Sequence, residues 1–281
     1  MVNRVVVTAA AAVLLSSGPS FTDELPGASA PLGKGTVGSY TILGGDGVPQ
    51  EIGVVFLAGA LDGLPAEKNN VSRCFDRDGD GANSEHECEG DYQLTLPFAA
   101  VPGVDADVPF TFAMVNYNPK GHIPAAWSVP HFDIHFYSVP LADVEAIRIG
   151  SCDFFIDCDD QKRALMPVAA KYVHPDHIDV GAAVGLMGNH LIDSKTPELA
   201  SPGSPFTHTW IFGAYDGRVI FHEVMATIDF LTATGDVCAE IKQPQARETA
   251  GYYPTRYCFR RDTSDGTLRV YMADFVMQPA G

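Results

Sequence analysis

One short stretch limits the fold of this chain more than any other, because its side chains alternate between apolar and metal-ligating types. It reads Val-Pro-His-Phe-Asp-Ile-His-Phe-Tyr over residues 129–137. Successive side chains of a β-strand point to opposite faces, so the stretch predicts a strand with one apolar and one polar face. The apolar face holds Phe132, Ile134 and Phe136, and the polar face holds His131, Asp133, His135 and Tyr137. Imidazoles and a carboxylate on one face are typical of a metal site that a strand supplies.

The remainder of the chain also predicts β-structure. Short alternating apolar runs recur between turns rich in glycine and proline, and 281 residues that are 46% hydrophobic can bury one sizeable core. We therefore expect a mainly β protein, a single β-barrel or β-sandwich domain over residues 31–281, with short helices and long disulfide-bonded loops. Predicted strands cover residues 92–98, 110–117, 129–139 and 268–276, a hairpin covers 206–231, and a short helix covers 140–147.

The first 30 residues predict a signal peptide. A short basic start, Met1 to Arg4, precedes an apolar run at 5–15 that is too short to span a bilayer. Small residues follow, and Ala28-Ser29-Ala30 is one candidate cleavage site, with residues 16–20 as another. No later run is long and apolar enough to span a membrane. The chain is therefore predicted to be exported, either periplasmic or secreted.

Six cysteines fit an oxidising compartment. None has the Cys-x-x-Cys spacing of a zinc ribbon or redox motif, so structural disulfides are expected. Nearest-neighbour pairing is the simplest of the fifteen connectivities. It would join Cys74 with Cys88, Cys152 with Cys158, and Cys238 with Cys258.

The formal net charge of −17 restricts the partners of the protein. Binding to nucleic acid requires a basic surface, and so does binding to an anionic membrane, so neither is expected. Metal ions and a small-molecule ligand are the expected partners, while the oligomeric state is left open.

The most specific local motif is an acidic loop that the two cysteines Cys74 and Cys88 bracket. It lies within a polar insertion at about residues 66–91 and has the ligand spacing of an EF-hand calcium loop, with Gly81 at the turn position. The predicted calcium ligands are Asp76, Asp78, Asp80, the carbonyl of Ala82, Ser84 and Glu87. The flanking residues do not predict helices, so we expect a stand-alone Ca²⁺ loop that a disulfide closes.

A second candidate site collects histidines from distant parts of the chain. The predicted transition-metal ligands are His131, His135, His190 and Glu223, with Asp133 and His208 as second-shell or substitute ligands. Glu223 is included because apolar residues flank it on its own strand face, where an unpaired carboxylate is costly to bury. Such a ligand set suits Zn, Cu, Fe or Mn. His222 points away from Glu223 and is expected at the surface.

Four blocks of the sequence together resemble a known family. They are Asn-Pro-Lys-Gly-His at 118–122, Pro-His-Phe-Asp-Ile-His-Phe-Tyr at 130–137, Met-Gly-Asn-His at 187–190, and Phe-Thr-His-Thr-Trp-Ile-Phe-Gly-Ala-Tyr-Asp-Gly at 206–217. They are similar to the TTHB210-like (DUF5602) family of exported bacterial proteins over residues 35–235. The resemblance implies a compact β-rich domain, but no reaction is assigned to the family, so it carries no catalytic residues over to this chain. A weaker similarity to cupins rests on the histidines and Glu223, whose spacing and order differ.

Three functions follow from these patterns. The first is an exported protein that binds a transition metal in a β-rich core and calcium in a structural loop. The second is a metal-dependent enzyme, either a hydrolase or a cupin-like oxygenase, in which Glu223 or Asp133 acts as a base. The third is a calcium-stabilised surface or interaction protein without a transition metal, and it predicts histidines scattered in space.

Overall fold

A computed structural model describes residues 23–69, 74, 80–81, 91–100, 107–201 and 203–281, which form two packed antiparallel sheets. The strands are β1 Asp23–Leu32, β2 Gly35–Leu43, β3 Pro49–Phe56, β4 Tyr92–Pro97, β5 Phe112–Asn118, β6 His131–Tyr137, β7 Ile149–Cys152, β8 His177–Val184, β9 Gly188–Asp193, β10 His208–Tyr215, β11 Arg218–Thr227, β12 Val237–Glu240, β13 Gly251–Arg261 and β14 Leu268–Gln278. The helices are α1 Leu141–Glu145, α2 Cys158–Ala164, α3 Pro197–Ala200 and α4 Ile228–Ala233.

The strand order makes the molecule a β-sandwich. One sheet has six strands in the order β1-β2-β3-β14-β13-β12, and the other has seven in the order β4-β5-β6-β11-β10-β9-β8. The sheets do not close into a barrel, so the structure confirms the mainly β prediction and selects the sandwich. The strand predicted from residues 129–137 is β6, which lies between β5 and β11 in the seven-stranded sheet.

The core between the two sheets uses the apolar face of β6. Phe132, Ile134 and Phe136 are completely buried there. They belong to one cluster with Phe56 and Val270 of the opposite sheet, and the rings of Phe56 and Phe132 meet edge to face at 5.2 Å. Alternation in the sequence thus specifies which face of β6 packs against the second sheet.

The polar face of β6 is buried as well. Tyr137 packs in a second cluster with Val144 of α1 and Ile156, which precedes α2. A third cluster, around Trp127 and Met225, covers another part of this face of the sheet. The loops and short helices therefore form a layer over the seven-stranded sheet, and every residue of β6 is buried. Its histidines and carboxylate lie inside the protein.

Several predicted elements are confirmed, and others differ at their ends. The strands predicted at 92–98, 110–117 and 268–276 and the helix predicted at 140–147 are present as β4, β5, β14 and α1. The strand predicted to reach residue 231 ends at Thr227, because the Thr227 hydroxyl accepts a hydrogen bond from the Phe230 amide and begins α4. The segment 166–190, predicted as a connection, contains β8, and β13 was not predicted.

The first strand begins within the segment assigned to the signal peptide. β1 pairs with β2 in a register that places Ser29 opposite Gly38. Cleavage after Ala30 would remove most of this strand, whereas cleavage near residues 16–20 would leave it intact. The apolar run at 5–15 lies outside the described residues, so the signal peptide stays a prediction.

The disulfides follow the nearest-neighbour pairing wherever both cysteines are described. Cys152 bonds to Cys158, and Cys238 bonds to Cys258 directly across the β12–β13 ladder. Cys74 is also disulfide-bonded, and its predicted partner Cys88 lies outside the described residues. Two intramolecular disulfides indicate an oxidising compartment. Within the described ranges, no helix has both the length and the apolar composition needed to cross a membrane.

Candidate metal centre

Three of the predicted ligands come together on the buried polar face of the seven-stranded sheet. His135 on β6 lies directly opposite Glu223 on β11, and His190 approaches from β9. Nε2 of His135 and Nε2 of His190 are each 3.7 Å from Oε2 of Glu223. The ligand atoms of these residues all lie within 4.8 Å of one another. We call His135, His190 and Glu223 the inner triad.

A glycine on the intervening strand lets His190 reach the other two residues. β10 separates β9 from β11, and its residue opposite His190 is Gly213. A Cβ atom at Gly213 would lie 1.9 Å from the ring of Phe221, so that ring occupies the space where a side chain would stand. The imidazoles of His135 and His190 both contact this ring, with centroids 5.0 and 5.1 Å from its centre. Phe221 therefore forms an apolar wall of the inner triad.

Backbone carbonyls orient both imidazoles of the inner triad. Nδ1 of His190 is 2.8 Å from the carbonyl oxygen of Ala182, and Nδ1 of His135 is 3.3 Å from that of Met114. A carbonyl oxygen only accepts hydrogen bonds, so each Nδ1 carries the proton and each Nε2 presents a lone pair. Histidines that ligate metals are held by this kind of contact.

The inner triad contains buried polar atoms that the described residues leave unsatisfied. Neither Nε2 of His135 nor Oε2 of Glu223 has a hydrogen-bond partner within that part of the chain. Burying such atoms without a partner costs about 1–3 kcal/mol each. A divalent cation accepts electron pairs from two imidazoles and a carboxylate, and it would satisfy all three residues at once. The donor set therefore fits a first-row transition metal.

Burial also controls the charge of the inner triad. Burial and the neighbouring His190 lower the pKa of His135 to about 3, and burial lowers the pKa of His190. Burial, with a smaller effect from Asp133, raises the pKa of Glu223 well above its usual value. Both imidazoles thus stay neutral at pH 7, in the form that binds metal, and a bound cation would favour the ionised carboxylate.

His131 belongs to a different group, which corrects the predicted set of four ligands. A strand rises about 3.3 Å per residue, so residues four apart share a face but lie about 13 Å from one another. His131 instead contacts His122 and Asp133, and the ligand atoms of these three residues also lie within 4.8 Å of one another. We call His122, His131 and Asp133 the outer triad. His122 was missed as a ligand, although it closes the block at 118–122.

The outer triad is an interacting cluster of charged and titratable groups. Nε2 of His131 is 3.1 Å from Oδ1 of Asp133, and Nε2 of His122 is 3.3 Å from Oδ2. Although burial acts in the opposite direction, His131 and His122 hold the pKa of Asp133 well below its usual value. Burial likewise acts against the charged form of His122, but Asp133 raises the pKa of His122. The Asn118 amide donates a 2.7 Å hydrogen bond to Oδ2 and fixes the carboxylate.

Two further histidines whose positions the sequence predicted, His208 and His222, lie in neither triad. His208, predicted as a substitute ligand, accepts or donates a 2.9 Å hydrogen bond with the Tyr257 hydroxyl of the opposite sheet. It lines a separate cleft of about 280 Å³ with Asp193 and Lys242. His222, expected at the surface, is only 2% exposed, because the face opposite Glu223 is the core between the sheets. That expectation was wrong.

Most of the predicted calcium ligands lie outside the described residues, namely Asp76, Asp78, Ala82, Ser84 and Glu87. Of the loop itself, Asp80 and Gly81 are described. Gly81 has a φ of 83°, in the left-handed region that glycine favours. The sharp turn at the sixth position of an EF-hand loop is where the sequence places this glycine.

Comparison with known proteins adds no relative. The chain matches no family model, no curated protein and no solved structure.

Proposed function

We propose that the protein is an exported metal-binding protein that holds a first-row transition metal at the inner triad. The observation that carries this proposal is the convergence of two oriented Nε2 lone pairs on one buried carboxylate oxygen, each at 3.7 Å. Three strands deliver these side chains from positions far apart in the sequence. A protein without a transition metal was predicted to have histidines scattered in space. Among the described residues, His135 and His190 instead converge on Glu223.

Metal binding is favoured over catalysis at the inner triad because access to it is restricted. The side chains of His135 and Glu223 are 1% and 2% exposed, and that of His190 is 14% exposed. Two histidines and one glutamate also form the protein ligands of some hydrolytic zinc centres, and two histidines with a carboxylate form those of some iron oxygenases. A hydrolase or oxygenase remains the alternative, and it requires a route by which substrate reaches the ion.

The decisive experiment is elemental analysis of the full chain, purified without a polyhistidine tag. Inductively coupled plasma mass spectrometry should find a first-row transition metal in the wild-type protein. The metal content per chain should fall in Glu223→Gln and in His190→Ala, because each variant loses a ligand of the inner triad. Wild-type protein that stays metal-free after dialysis against Zn²⁺, Mn²⁺, Fe²⁺ or Cu²⁺ would refute the proposal.

Three further features complete the proposed function. Export is supported by the two disulfides and by the predicted signal peptide, whose candidate cleavage site at residues 16–20 would leave β1 intact. A structural Ca²⁺ ion in the loop 76–87 is supported by the ligand spacing and by the left-handed Gly81. Membership of the TTHB210-like (DUF5602) family is supported by the sequence blocks, two of which supply His122 and His190 to the triads.

A further inference from the structure

The outer triad has a feature that ordinary packing does not explain. Nε2 of His122 and Nε2 of His131 point at each other and are 3.0 Å apart. Nδ1 of His122 lies 2.8 Å from the carbonyl oxygen of Ile123, and Nδ1 of His131 lies 2.7 Å from that of Val129. Both Nδ1 atoms therefore carry protons, so a neutral imidazole at either position presents the lone pair of its Nε2 to the same small space.

Two neutral imidazoles in this arrangement would repel each other, so a proton or a metal cation must lie between the two Nε2 atoms. The carboxylate of Asp133 faces the same space, with Oδ1 near His131 and Oδ2 near His122. Either a proton shared by the imidazoles or a metal cation bound to both would remove the repulsion. Metal–nitrogen bonds of about 2.0–2.1 Å are compatible with nitrogens about 3 Å apart. Two imidazoles and a carboxylate are ligands that first-row divalent cations prefer.

The chain uses a tightly folded loop to place His122 in this position. Gly121 has a φ of 66°, and a Cβ atom there would lie 2.2 Å from the carbonyl oxygen of Trp127. The loop closes through hydrogen bonds from the His122 amide to the Trp127 carbonyl and from the Ser128 hydroxyl to the His122 carbonyl, both 3.3 Å. Gly121 thus permits a turn that brings His122 against β6.

We propose that the outer triad is a second metal site, which binds a divalent first-row cation that exchanges with solvent. The side chain of His122 is 37% exposed, whereas each side chain of the inner triad is at most 14% exposed. An ion at the outer triad is therefore reached from the surface, and one at the inner triad is enclosed. The two sites use different residues, so the second site does not depend on the ion proposed at the first.

Zinc stoichiometry in the full, untagged chain tests this proposal. Protein is dialysed against Zn²⁺ with excess Ca²⁺ to fill the acidic loop, and the bound zinc per chain is measured. We expect two zinc ions in the wild-type protein and one in His122→Ala, whose partly exposed side chain is removed without opening a core cavity. Asp133→Asn, which keeps the shape of the carboxylate, should also bind one. His174→Ala changes a histidine outside both triads and should bind two.

The rate of zinc removal supplies the second readout. A chromogenic chelator should take one ion from the wild-type protein in a fast phase, and this phase should be absent from His122→Ala. A zinc content in folded His122→Ala and Asp133→Asn equal to that of the wild type would overturn the second site, and a shared proton would then explain the short contact. Loss of zinc from Glu223→Gln but not from His122→Ala would leave the proposed function intact and refute only this inference. The opposite result would refute only the inner triad.

Discussion

His135 and Glu223 lie directly opposite each other in the β6–β11 ladder, and Nε2 of the histidine is 3.7 Å from Oε2 of the carboxylate. The two atoms are buried and have no hydrogen-bond partner among the described residues. Their separation is too long for a hydrogen bond but suits two ligands of one ion, each about 2 Å from it. This relationship is what two ligands of one ion require, and it supports the metal centre that we propose at the inner triad.

Replacing the carboxylate should separate metal binding from packing. Glu223→Gln keeps the size of the side chain but removes its charge. Loss of a residue that only orients a metal ligand lowers metal affinity about 10- to 100-fold, so loss of a ligand should lower the zinc affinity of the inner triad by at least as much. Competition with a chelator of known affinity measures this change. Glu198→Gln is the matched control, because Glu198 is also buried but accepts a hydrogen bond from Trp127. Equal affinities in the two variants would contradict the assignment of Glu223.

Zinc should stabilise the folded protein against heat. A ligand at 100 times its dissociation constant adds about 2.7 kcal/mol to the free energy of unfolding. For a domain of this size that corresponds to a rise in melting temperature of about 5–10 °C. Scanning calorimetry with zinc and with a chelator measures the difference. His190→Ala should lose the part of the rise that the inner triad supplies, and an unchanged rise would exclude His190 as a ligand.

Acidification should destabilise the protein through its buried neutral histidines. Burial lowers the pKa of His177 to about 4 from 6.5, and His177 is only 7% exposed. Between these values the unfolded chain binds more protons than the folded one, so stability falls as the pH falls from 6.5 towards 4. By pH 4, protonation of His177 alone should lower the free energy of unfolding by about 3 kcal/mol. Urea unfolding at pH 7.5, 5.5 and 4.5 should show a weaker pH dependence in His177→Gln than in the wild type.

The two described disulfides should contribute unequally to stability. Cys238–Cys258 spans 20 residues and Cys152–Cys158 spans 6, and the loop-entropy model gives about 3 and about 2 kcal/mol for them. The exposed partners Cys238 and Cys158 are changed to alanine one at a time, so that each bridge is lost without a core cavity. Chemical denaturation should rank Cys238→Ala as the less stable variant, and the reverse order would mean that native packing outweighs loop entropy.

Calcium should act separately from zinc. EF-hand loops in extracellular modules bind Ca²⁺ with dissociation constants of about 10⁻⁴–10⁻³ M. Ten millimolar Ca²⁺ should therefore raise the melting temperature of zinc-saturated protein by about 5 °C. Asp76→Ala should abolish this rise, whereas Asp236→Ala, which changes an exposed aspartate outside the loop, should preserve it. A rise in melting temperature that persists in Asp76→Ala would exclude the loop as the calcium site.

The sequence predicted which face of β6 carries the candidate ligands but not their division between the inner and the outer triad. Period-two alternation assigns His131, Asp133 and His135 to one face of β6, and it does so without knowledge of neighbours. It also led to His131 and His135 being placed in one site, although residues four apart in a strand are about 13 Å from one another. Strand rise alone would have separated them.

The partners of these histidines depend on tertiary structure. The order β6-β11-β10-β9 brings His190 to Glu223 across a strand whose own residue is Gly213, and no local pattern specifies that order. His222 was expected at the surface because it points away from Glu223, and one face of an antiparallel sheet is often solvated. Here loops cover one face and the second sheet covers the other, so both faces are buried.

Composition, alternation and turn residues were thus sufficient for the mainly β fold, the two described disulfide pairs and the selection of His135, His190 and Glu223, which the structure brings together. These signals are local, because side-chain direction in a strand and the reach of a short cysteine loop depend only on nearby residues. The division into an inner and an outer triad, and the recruitment of His122, were decided by strand order and by the loop that Gly121 allows. Distances between residues far apart in the chain exist only after the sheets have packed, and metal ligation depends on those distances.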